Sequence, residues 1–257
     1  MSMKFILLLI FFATTTFFVQ AQDEAQSAFS EGVKLLKSNQ FAEAERQFSI
    51  AIKKGVALQG LKMSYIYKGF SLNGQQKYEQ AVLCFDKAIE IDSLDPASYT
   101  DRGLAYSYKK DYEKAILDFE KVLKIDSNGK QAEAAYYYSG RIKFSQGYYE
   151  KAIEQFDKLL LLVPTDAEAY FLRGTAKSNI MDIKGSIADY DLAIKYKPNY
   201  MEAYANRGFQ KINALPVSEK VGKTGCLESP CADFKRAKAL GDSAVDDMLF
   251  LYCKECK

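Results

Sequence analysis

Five times in this 257-residue chain, a glycine is followed sixteen residues later by an aromatic residue. The pairs are Gly32 and Phe48, Gly69 and Phe85, Gly103 and Phe119, Gly140 and Phe156, and Gly174 and Tyr190. A small residue stands twelve positions after each of these glycines, at Ala44, Ala81, Ala115, Ala152 and Ser186. Such self-similarity is typical of a chain built from stacked structural repeats. The spacing therefore constrains the fold more than any other feature.

The residues between a glycine and its aromatic partner follow a helical pattern. In the segment 41–52, apolar residues recur three and four positions apart, which predicts an amphipathic helix, and the alternation typical of a strand is absent. We expect each glycine and its small partner to lie where two helices cross closely, and the aromatic residue to fill the gap to the next repeat. These residues are therefore assigned to core packing and not to chemistry.

The distance between successive glycines gives the length of the repeat. Gly32, Gly69, Gly103, Gly140, Gly174 and Gly208 lie 37, 34, 37, 34 and 34 residues apart. Over roughly residues 25 to 240, this pattern resembles the tetratricopeptide repeat (TPR) family. The resemblance implies an all-α fold, a right-handed α-solenoid of about six helix pairs with a C-terminal capping helix.

The same register predicts the repeat boundaries. We expect six repeats followed by a capping helix and cysteine-rich tail at 241–257; the repeats are 25–61, 62–95, 96–132, 133–166, 167–200 and 201–240. Asp95-Pro96 and Ser229-Pro230 each predict a helix start, because a capping side chain precedes a proline. Short turns between paired helices are predicted at Asn39-Gln40, Gln76-Lys77, Lys110-Asp111 and Gln146-Gly147.

The sixth repeat departs from this register. Its glycine, Gly208, precedes Phe234 by 26 residues, so ten residues are inserted. The insertion falls between the two helices of that repeat, at about 214–228. We expect a loop that closes the solenoid and is held by Cys226, and a binding loop is the alternative.

An apolar run at the N-terminus forms a different kind of segment. Lys4 precedes the run from Phe5 to Phe18, and Ala21 ends a stretch of the kind that signal peptidase cleaves. Residues 1–21 resemble a secretory signal peptide, and the run is shorter than the roughly 20 apolar residues that span a bilayer. A membrane anchor is the competing interpretation. We expect a cleaved chain without a transmembrane span, in the periplasm or outside the cell.

Composition limits the function classes. The formal net charge is +2, and it falls to +1 without Lys4, so the chain lacks the basic stripe of a nucleic-acid-binding protein. The sequence contains no histidine and no glycine-rich phosphate loop, and its carboxylates fall on faces that the repeat leaves exposed. We therefore predict a protein that is not an enzyme and holds no cofactor or metal.

Four of the five cysteines are crowded at the C-terminus. Two helices that turn back at Gly241 would bring Cys231 close to Cys253, and Cys226 to Cys256 further out. Two nested disulfides are the preferred arrangement for an exported chain, although four cysteines permit three pairings. A four-thiolate zinc site and a redox-active Cys253–Cys256 pair are the alternatives. The remaining cysteine, Cys84, is expected to be buried.

The family resemblance also implies where a partner would bind. In TPR proteins the second, fifth, ninth and twelfth positions of each repeat, on its first helix, line a concave groove, and the fifth and ninth are considered for this chain. The corresponding candidates here are Phe29, Ile66, Phe70, Tyr137, Arg141, Phe171 and Phe209. Phenylalanine or isoleucine replaces the lysine and asparagine with which some TPR domains clamp a peptide carboxylate, so that clamp is not expected. An aromatic groove suits an extended or amphipathic peptide.

The resulting hypothesis is a non-catalytic scaffold that binds a protein or peptide in this groove. The alternative is a structural or self-associating envelope protein, for example a homo-oligomer, whose inner residues pack against neighbouring repeats or another copy. Arg102, Arg173 and Arg207 each precede a glycine. They could hold acidic partners, but recurrence in three repeats favours pairing within the solenoid.

Overall fold

The protein is described by a computed structural model, in which the backbone is defined for residues 3–216 and 227–253. Over these residues the structure contains thirteen α-helices and no strand, which confirms the predicted all-α fold. The helices are α1 (Met3–Lys37), α2 (Phe41–Lys54), α3 (Leu58–Gly74), α4 (Tyr78–Ile91), α5 (Pro96–Tyr108), α6 (Tyr112–Ile125), α7 (Lys130–Ser145), α8 (Tyr149–Leu162), α9 (Ala167–Asn179), α10 (Ile183–Tyr196), α11 (Met201–Asn213), α12 (Glu228–Ala239) and α13 (Asp246–Tyr252).

The helices form two compact units, unit 1 at Met1–Ser127 and unit 2 at Asn128–Lys257. In unit 1, the helices pair as α1 with α2, α3 with α4 and α5 with α6, and α2 and α4 each also pack on the first helix of the following pair. Unit 2 repeats this scheme with α7 to α12, and α13 packs on α12. Within each unit this is the helix-pair packing of a TPR solenoid, as the repeat spacing predicts.

Turns within the helix pairs depend on one residue with a left-handed backbone. Asn39, Gln76, Lys110 and Gly147 have positive φ angles in the four turns that the sequence predicts, and Met181 does the same in repeat 5. One left-handed residue reverses the chain within a short turn, and so the paired helices are antiparallel. The four predicted turns are confirmed.

The glycines provide the space that the aromatic rings fill. A Cβ atom added to Gly69 would lie 2.6 Å from the Phe85 ring, and one added to Gly103 would lie 2.8 Å from Phe119. Phe48, Phe85, Phe119, Phe156 and Phe234 are all fully buried. Each ring packs against the glycine of its own repeat, and the Phe48 ring also lies 5.6 Å from that of Tyr67 in the next repeat, as the predicted filling of the gap between repeats requires. The ten-residue insertion leaves this crossing intact, because Gly208 still meets Phe234.

Some predicted boundaries need correction. Asp95 caps α5 as expected, since its carboxylate accepts a hydrogen bond from the Ala97 amide. The predicted cap at Ser229 is wrong, because α12 begins at Glu228 and Pro230 lies within its first turn. A proline is tolerated there because first-turn amides have no partner within the helix. Helices α3 and α7 also begin before the repeat starts expected at 62 and 133.

The C-terminal end is closed by α12 and α13. The sulfur atoms of Cys231 and Cys253 lie 2.04 Å apart, at disulfide distance, and the Leu227 amide donates to the Tyr252 carbonyl at 3.3 Å. The predicted pair of Cys226 with Cys256 and most of the insertion lie outside the described residues. The capping helix predicted within 241–257 is α13, which runs from Asp246 to Tyr252.

The predicted signal segment and the first helix of repeat 1 belong to one helix, because α1 runs from Met3 to Lys37. Ala25 is the first residue of the chain whose described side chain is fully buried. None of the helices in the described residues is both long enough and apolar enough to cross a membrane. Signal cleavage itself stays a prediction.

Candidate functional site

The first helices of neighbouring repeats contact one another within each unit: α1 with α3, α3 with α5, α7 with α9, and α9 with α11. They form a continuous layer, which we call the first-helix layer of that unit. All seven candidate groove residues belong to these helices. Their surroundings differ between unit 1 and unit 2.

In unit 1 the candidate residues are largely packed into the protein. Ile66 is only 5% exposed and belongs to the hydrophobic core, so its side chain is not free to meet a partner. The Phe29 ring lies 5.9 Å from that of Tyr67, and the Phe70 ring lies 5.8 Å from that of Phe85. These two phenylalanines are part-buried members of a chain of aromatic contacts. Much of their surface therefore serves internal packing.

In unit 2 a polar cluster surrounds Tyr137. Its hydroxyl donates to a Glu168 carboxylate oxygen, and the Arg141 guanidinium lies over its ring, 5.5 Å from the centroid. Burial and the hydrogen bond to Glu168 raise the pKa of Tyr137 to about 12, so the phenol stays protonated and can donate. Arg141 is exposed, and its Nη1 atom lies 3.4 Å from the Tyr137 hydroxyl.

Phe171 extends this cluster along α9. Its ring lies 4.8 Å from the Tyr200 ring, and the Lys197 ammonium lies over Tyr200 at 4.0 Å from the centroid. Burial raises the pKa of Tyr200, and the nearby charges of Glu168 and Glu202 act in the same direction. Tyr137, Arg141, Glu168, Phe171 and Tyr200 are called the aromatic face of unit 2 below.

Phe209 lies further along the same layer. Its ring packs edge-on against Phe234 at 5.2 Å and is part-buried. Sequence reasoning missed Glu168 and Tyr200. Glu168 could have been found, because it stands at the second position of its repeat, which the family resemblance also assigns to the groove. Tyr200 precedes α11 and carries no such positional signal.

The three arginines that precede glycines are held inside the stack. Each guanidinium bridges two aspartates, one in the second helix of its own repeat and one in that of the preceding repeat. The bridges are Asp86–Arg102–Asp118, Asp157–Arg173–Asp189 and Asp191–Arg207–Asp233. The pairing is bidentate at Asp118, whose oxygens lie 2.9 and 2.6 Å from the Arg102 nitrogens.

The sequence contains a signal for these bridges. Arginine stands before the glycine only in the repeats that also carry an aspartate before the aromatic residue: Asp118, Asp189 and Asp233. The other repeats carry Glu31 with Gln47, Lys68 with Cys84, and Ser139 with Gln155 at these two positions. Because the arginine and the aspartate occur only together, their positions predict that the two side chains are in contact.

The structure offers binding groups more readily than reactive ones. No cluster of three or more potential metal ligands occurs in the described part of the chain. Burial raises the pKa of the Cys84 thiol to about 11, so it is neutral at physiological pH. The aromatic face of unit 2 presents rings, a phenol, a carboxylate and a guanidinium, which together suit recognition of a polypeptide.

Family models match three of the repeats. Two models described as tetratricopeptide repeat match residues 64–93 and 96–128, and a model described as TPR repeat matches residues 140–179. The chain belongs to the tetratricopeptide repeat family. TPR domains act as protein-interaction scaffolds, and that general role applies here. No curated protein sequence matches the chain.

Several solved structures share the TPR fold. MamA from Desulfovibrio magneticus RS-1 is 21% identical with a TM-score of 0.59, and the match covers 70% of this chain and 94% of that one. YrrB, described as a TPR protein with an unusual peptide-binding site, is 22% identical with a TM-score of 0.57, covering 79% and 94%. A tetratricopeptide repeat protein from Parabacteroides merdae ATCC 43184 is 17% identical with a TM-score of 0.63, covering 89% and 98%. At these identities the similarity shows the fold alone.

Proposed function

We propose that this TPR protein is a non-catalytic scaffold that binds a segment of another protein on the aromatic face of unit 2. The observation that carries the proposal is that the exposed Arg141 guanidinium has no carboxylate partner among the described residues. Arg102, Arg173 and Arg207 each bridge two aspartates, whereas Arg141 bonds only to the Tyr137 hydroxyl among the described residues. An exposed guanidinium held against a tyrosine ring is positioned to meet an acidic group or a backbone carbonyl of a partner.

The residue types around Arg141 support this assignment. Tyrosine, phenylalanine and arginine are enriched in protein interfaces because they combine large apolar area with few rotatable bonds or a rigid set of donors. Tyr137 and Phe171 are only part-buried, so part of each ring remains available. The peptide-binding site named for YrrB adds support by analogy.

A peptide library displayed on phage tests the proposal. The full chain, immobilised, should enrich a family of peptides, and an Arg141→Gln, Tyr137→Ala variant should lose that enrichment. Arg46→Gln and Tyr148→Ala are matched controls, because Arg46 lies on α2 and Tyr148 precedes α8, and both are exposed. The proposal fails if wild type enriches nothing, or if the control and test variants select the same peptides.

We also propose that the chain is exported and acts in the periplasm or outside the cell. The support is the lysine-led apolar run that ends near Ala21, and packing does not oppose cleavage there, since the first fully buried described side chain is Ala25. The measurement is the intact mass of the chain recovered from the periplasm of a Gram-negative expression host. A chain that begins at Gln22 is expected, and retention of residues 1–21 in the membrane fraction contradicts the proposal.

Self-association is the second candidate function. Leu83 on α4 and Leu117 on α6 stand at the same repeat position in unit 1 and are 64% and 63% exposed. Apolar side chains exposed in register offer a surface that a second copy could cover. Light scattering over a range of concentrations should then show a rising mass that a Leu83→Ser, Leu117→Ser variant does not. A constant monomer mass excludes this candidate.

A further inference from the structure

Asp101 on α5 is an unusual residue for its place in the repeat. It stands two residues before Gly103. The residues at the same place in the other five repeats are Ser30, Tyr67, Tyr138, Leu172 and Asn206. Only repeat 3 places a carboxyl group there, and Leu172 shows that the fold accepts an apolar side chain at this position.

Two other repeats show what this position faces. The Tyr67 ring lies 5.6 Å from Phe48, the aromatic residue of the preceding repeat, and Asn206 lies within hydrogen-bonding reach of the Tyr190 hydroxyl, again in the preceding repeat. The same register places Asp101 toward Phe85. Phe85 has no polar side-chain atom, so it cannot satisfy a carboxylate as Tyr190 can satisfy an amide.

Asp101 is also the aspartate of its neighbourhood that lacks a partner. Asp86 and Asp118 bind Arg102, Asp92 and Asp95 lie 2.9 and 3.5 Å from Lys62, and Asp111 lies 3.1 Å from Lys114. The Asp101 side chain has no hydrogen bond or ion pair within the described residues. Burial and the charge of Asp95 raise the pKa of Asp101 to about 7, as expected for a carboxyl group without compensation.

We infer that Asp101 binds a basic side chain, lysine or arginine, from a protein segment that lies on the first-helix layer of unit 1. Charge complementarity selects this occupant, because a part-buried carboxylate without a cation is the one charged group of the α5 surface left uncompensated. Phe70 and Leu104 are part-buried on the same layer and can contact the aliphatic stem of such a side chain. A single carboxylate supplies too few ligands for a metal ion.

This inference rests on the proposed scaffold function, and the phage experiment separates the two. The segment on unit 1 is distinct from the one on the aromatic face of unit 2. Besides the peptides that need Tyr137 and Arg141, the wild-type chain should enrich a second family that shares a lysine or arginine at one position, and Asp101→Asn or Asp101→Leu should lose this second family. Asp111→Asn, a change of the same charge in the same unit, should keep it. If the wild-type chain selects no peptides, the scaffold proposal fails. If peptides are selected without a basic position, only the role of Asp101 is overturned.

A synthetic peptide with the selected sequence then measures the contact directly. Replacing its basic residue by norleucine, which keeps the stem and removes the charge, should weaken binding to the wild-type chain about tenfold, in line with one charge-assisted hydrogen bond. The same replacement should change binding to Asp101→Asn very little. Equal losses for both proteins, measured by calorimetry with helicity checked by circular dichroism, would place the basic residue elsewhere.

Discussion

Repeat 3 (α5 and α6, unit 1) and repeat 5 (α9 and α10, unit 2) contain the same bridge in different electrostatic surroundings. Asp118 is 5% exposed and Asp189 is 2% exposed, and each accepts two hydrogen bonds from the arginine that precedes the glycine of its repeat. Asp189 also has the Lys177 ammonium at 2.9 Å. Tyr106 stands at the place of Lys177 in repeat 3, so Asp118 has a single cation.

The difference shows that the repeat register specifies geometry without specifying charge balance. Burial raises the pKa of Asp118 even though Arg102 acts in the opposite direction. Asp101 adds a second poorly compensated carboxyl group to repeat 3, at the place where repeat 5 has Leu172. A chain that repeats its backbone can therefore leave the buried and part-buried carboxyl groups of one repeat poorly compensated, and at Asp101 we expect a basic group of a partner to bind.

Removing the arginine should produce the largest effect. Arg102→Gln should lower the free energy of unfolding by about 3 kcal/mol, because it leaves Asp118 buried without a cation. Arg173→Gln should cost only about 1 kcal/mol, because Lys177 remains beside Asp189. Urea denaturation followed by circular dichroism near neutral pH measures both values.

Arg46→Gln is the control for these two variants. The Arg46 side chain is 70% exposed and pairs with Glu43, so its loss should change stability by less than about 0.5 kcal/mol. Equal costs for Arg102→Gln and Arg173→Gln would show that Lys177 does not compensate Asp189, and the comparison would then lose its electrostatic basis.

Replacing the repeat glycine by alanine should also destabilise repeat 3 more than repeat 5, but by less than the loss of the arginine does. A Cβ atom on Gly103 would meet the buried Phe119 ring at 2.8 Å, whereas the nearest atoms to one on Gly174 lie at 3.1 Å. Gly103→Ala should therefore be less stable than Gly174→Ala by about 1–2 kcal/mol, since the gain in helix propensity is common to both. Thermal unfolding of the two variants gives the difference, and identical midpoints would mean that the Phe119 ring shifts freely.

The sequence was sufficient to predict the fold because the same pair of packing residues, a glycine and an aromatic residue, recurs in successive repeats. Gly103 with Phe119 or Gly69 with Phe85 alone would be weak evidence for a helix crossing. Six glycines in register leave few alternatives, and even the displaced Phe234 could be assigned. Boundaries were less certain: α12 begins before Ser229, because a proline fits any position of a first turn and so does not fix the start.

The candidate site could be predicted only in part. Register placed Tyr137, Arg141 and Phe171 on first helices, but it could not tell that Ile66, at an equivalent position, is buried in the core. Exposure depends on the size of the residues around each position, which differs from repeat to repeat. The sequence also could not predict that the Asp101 carboxylate has no cationic partner, because that depends on which neighbouring cations already pair with other carboxylates.

Replacing Asp101 should stabilise the chain. The pKa of Asp101 in the folded state, about 7, lies above the ordinary value of 3.8, so between these values the folded chain holds a proton that the unfolded chain has lost. The free energy of unfolding therefore falls as pH rises through this window, and Asp101→Asn removes that loss. The expected gain is about 1 kcal/mol at about pH 8, because the side chain keeps some contact with water, and it should vanish near about pH 4. Urea titrations at both pH values test the sign, and a gain that does not depend on pH would contradict it.

Tyr106→Lys should bring repeat 3 closest to repeat 5, with the smallest net change. Lys177 lies three residues after its glycine and reaches Asp189, so a lysine at 106 should reach Asp118 in the same way. Lost apolar contact of the part-buried tyrosine offsets this gain, and the net change should be within about 0.5 kcal/mol. A double-mutant cycle that combines Tyr106→Lys with Asp118→Asn cancels the lost packing of the tyrosine, because the tyrosine is replaced with and without Asp118. The remaining interaction energy between the introduced lysine and Asp118 should be about 1 kcal/mol.

Tyr106→Lys should also lower the cost of Arg102→Gln toward that of Arg173→Gln. If it does not, the second cation is not what distinguishes the two repeats, and the bridge geometry alone must explain their difference.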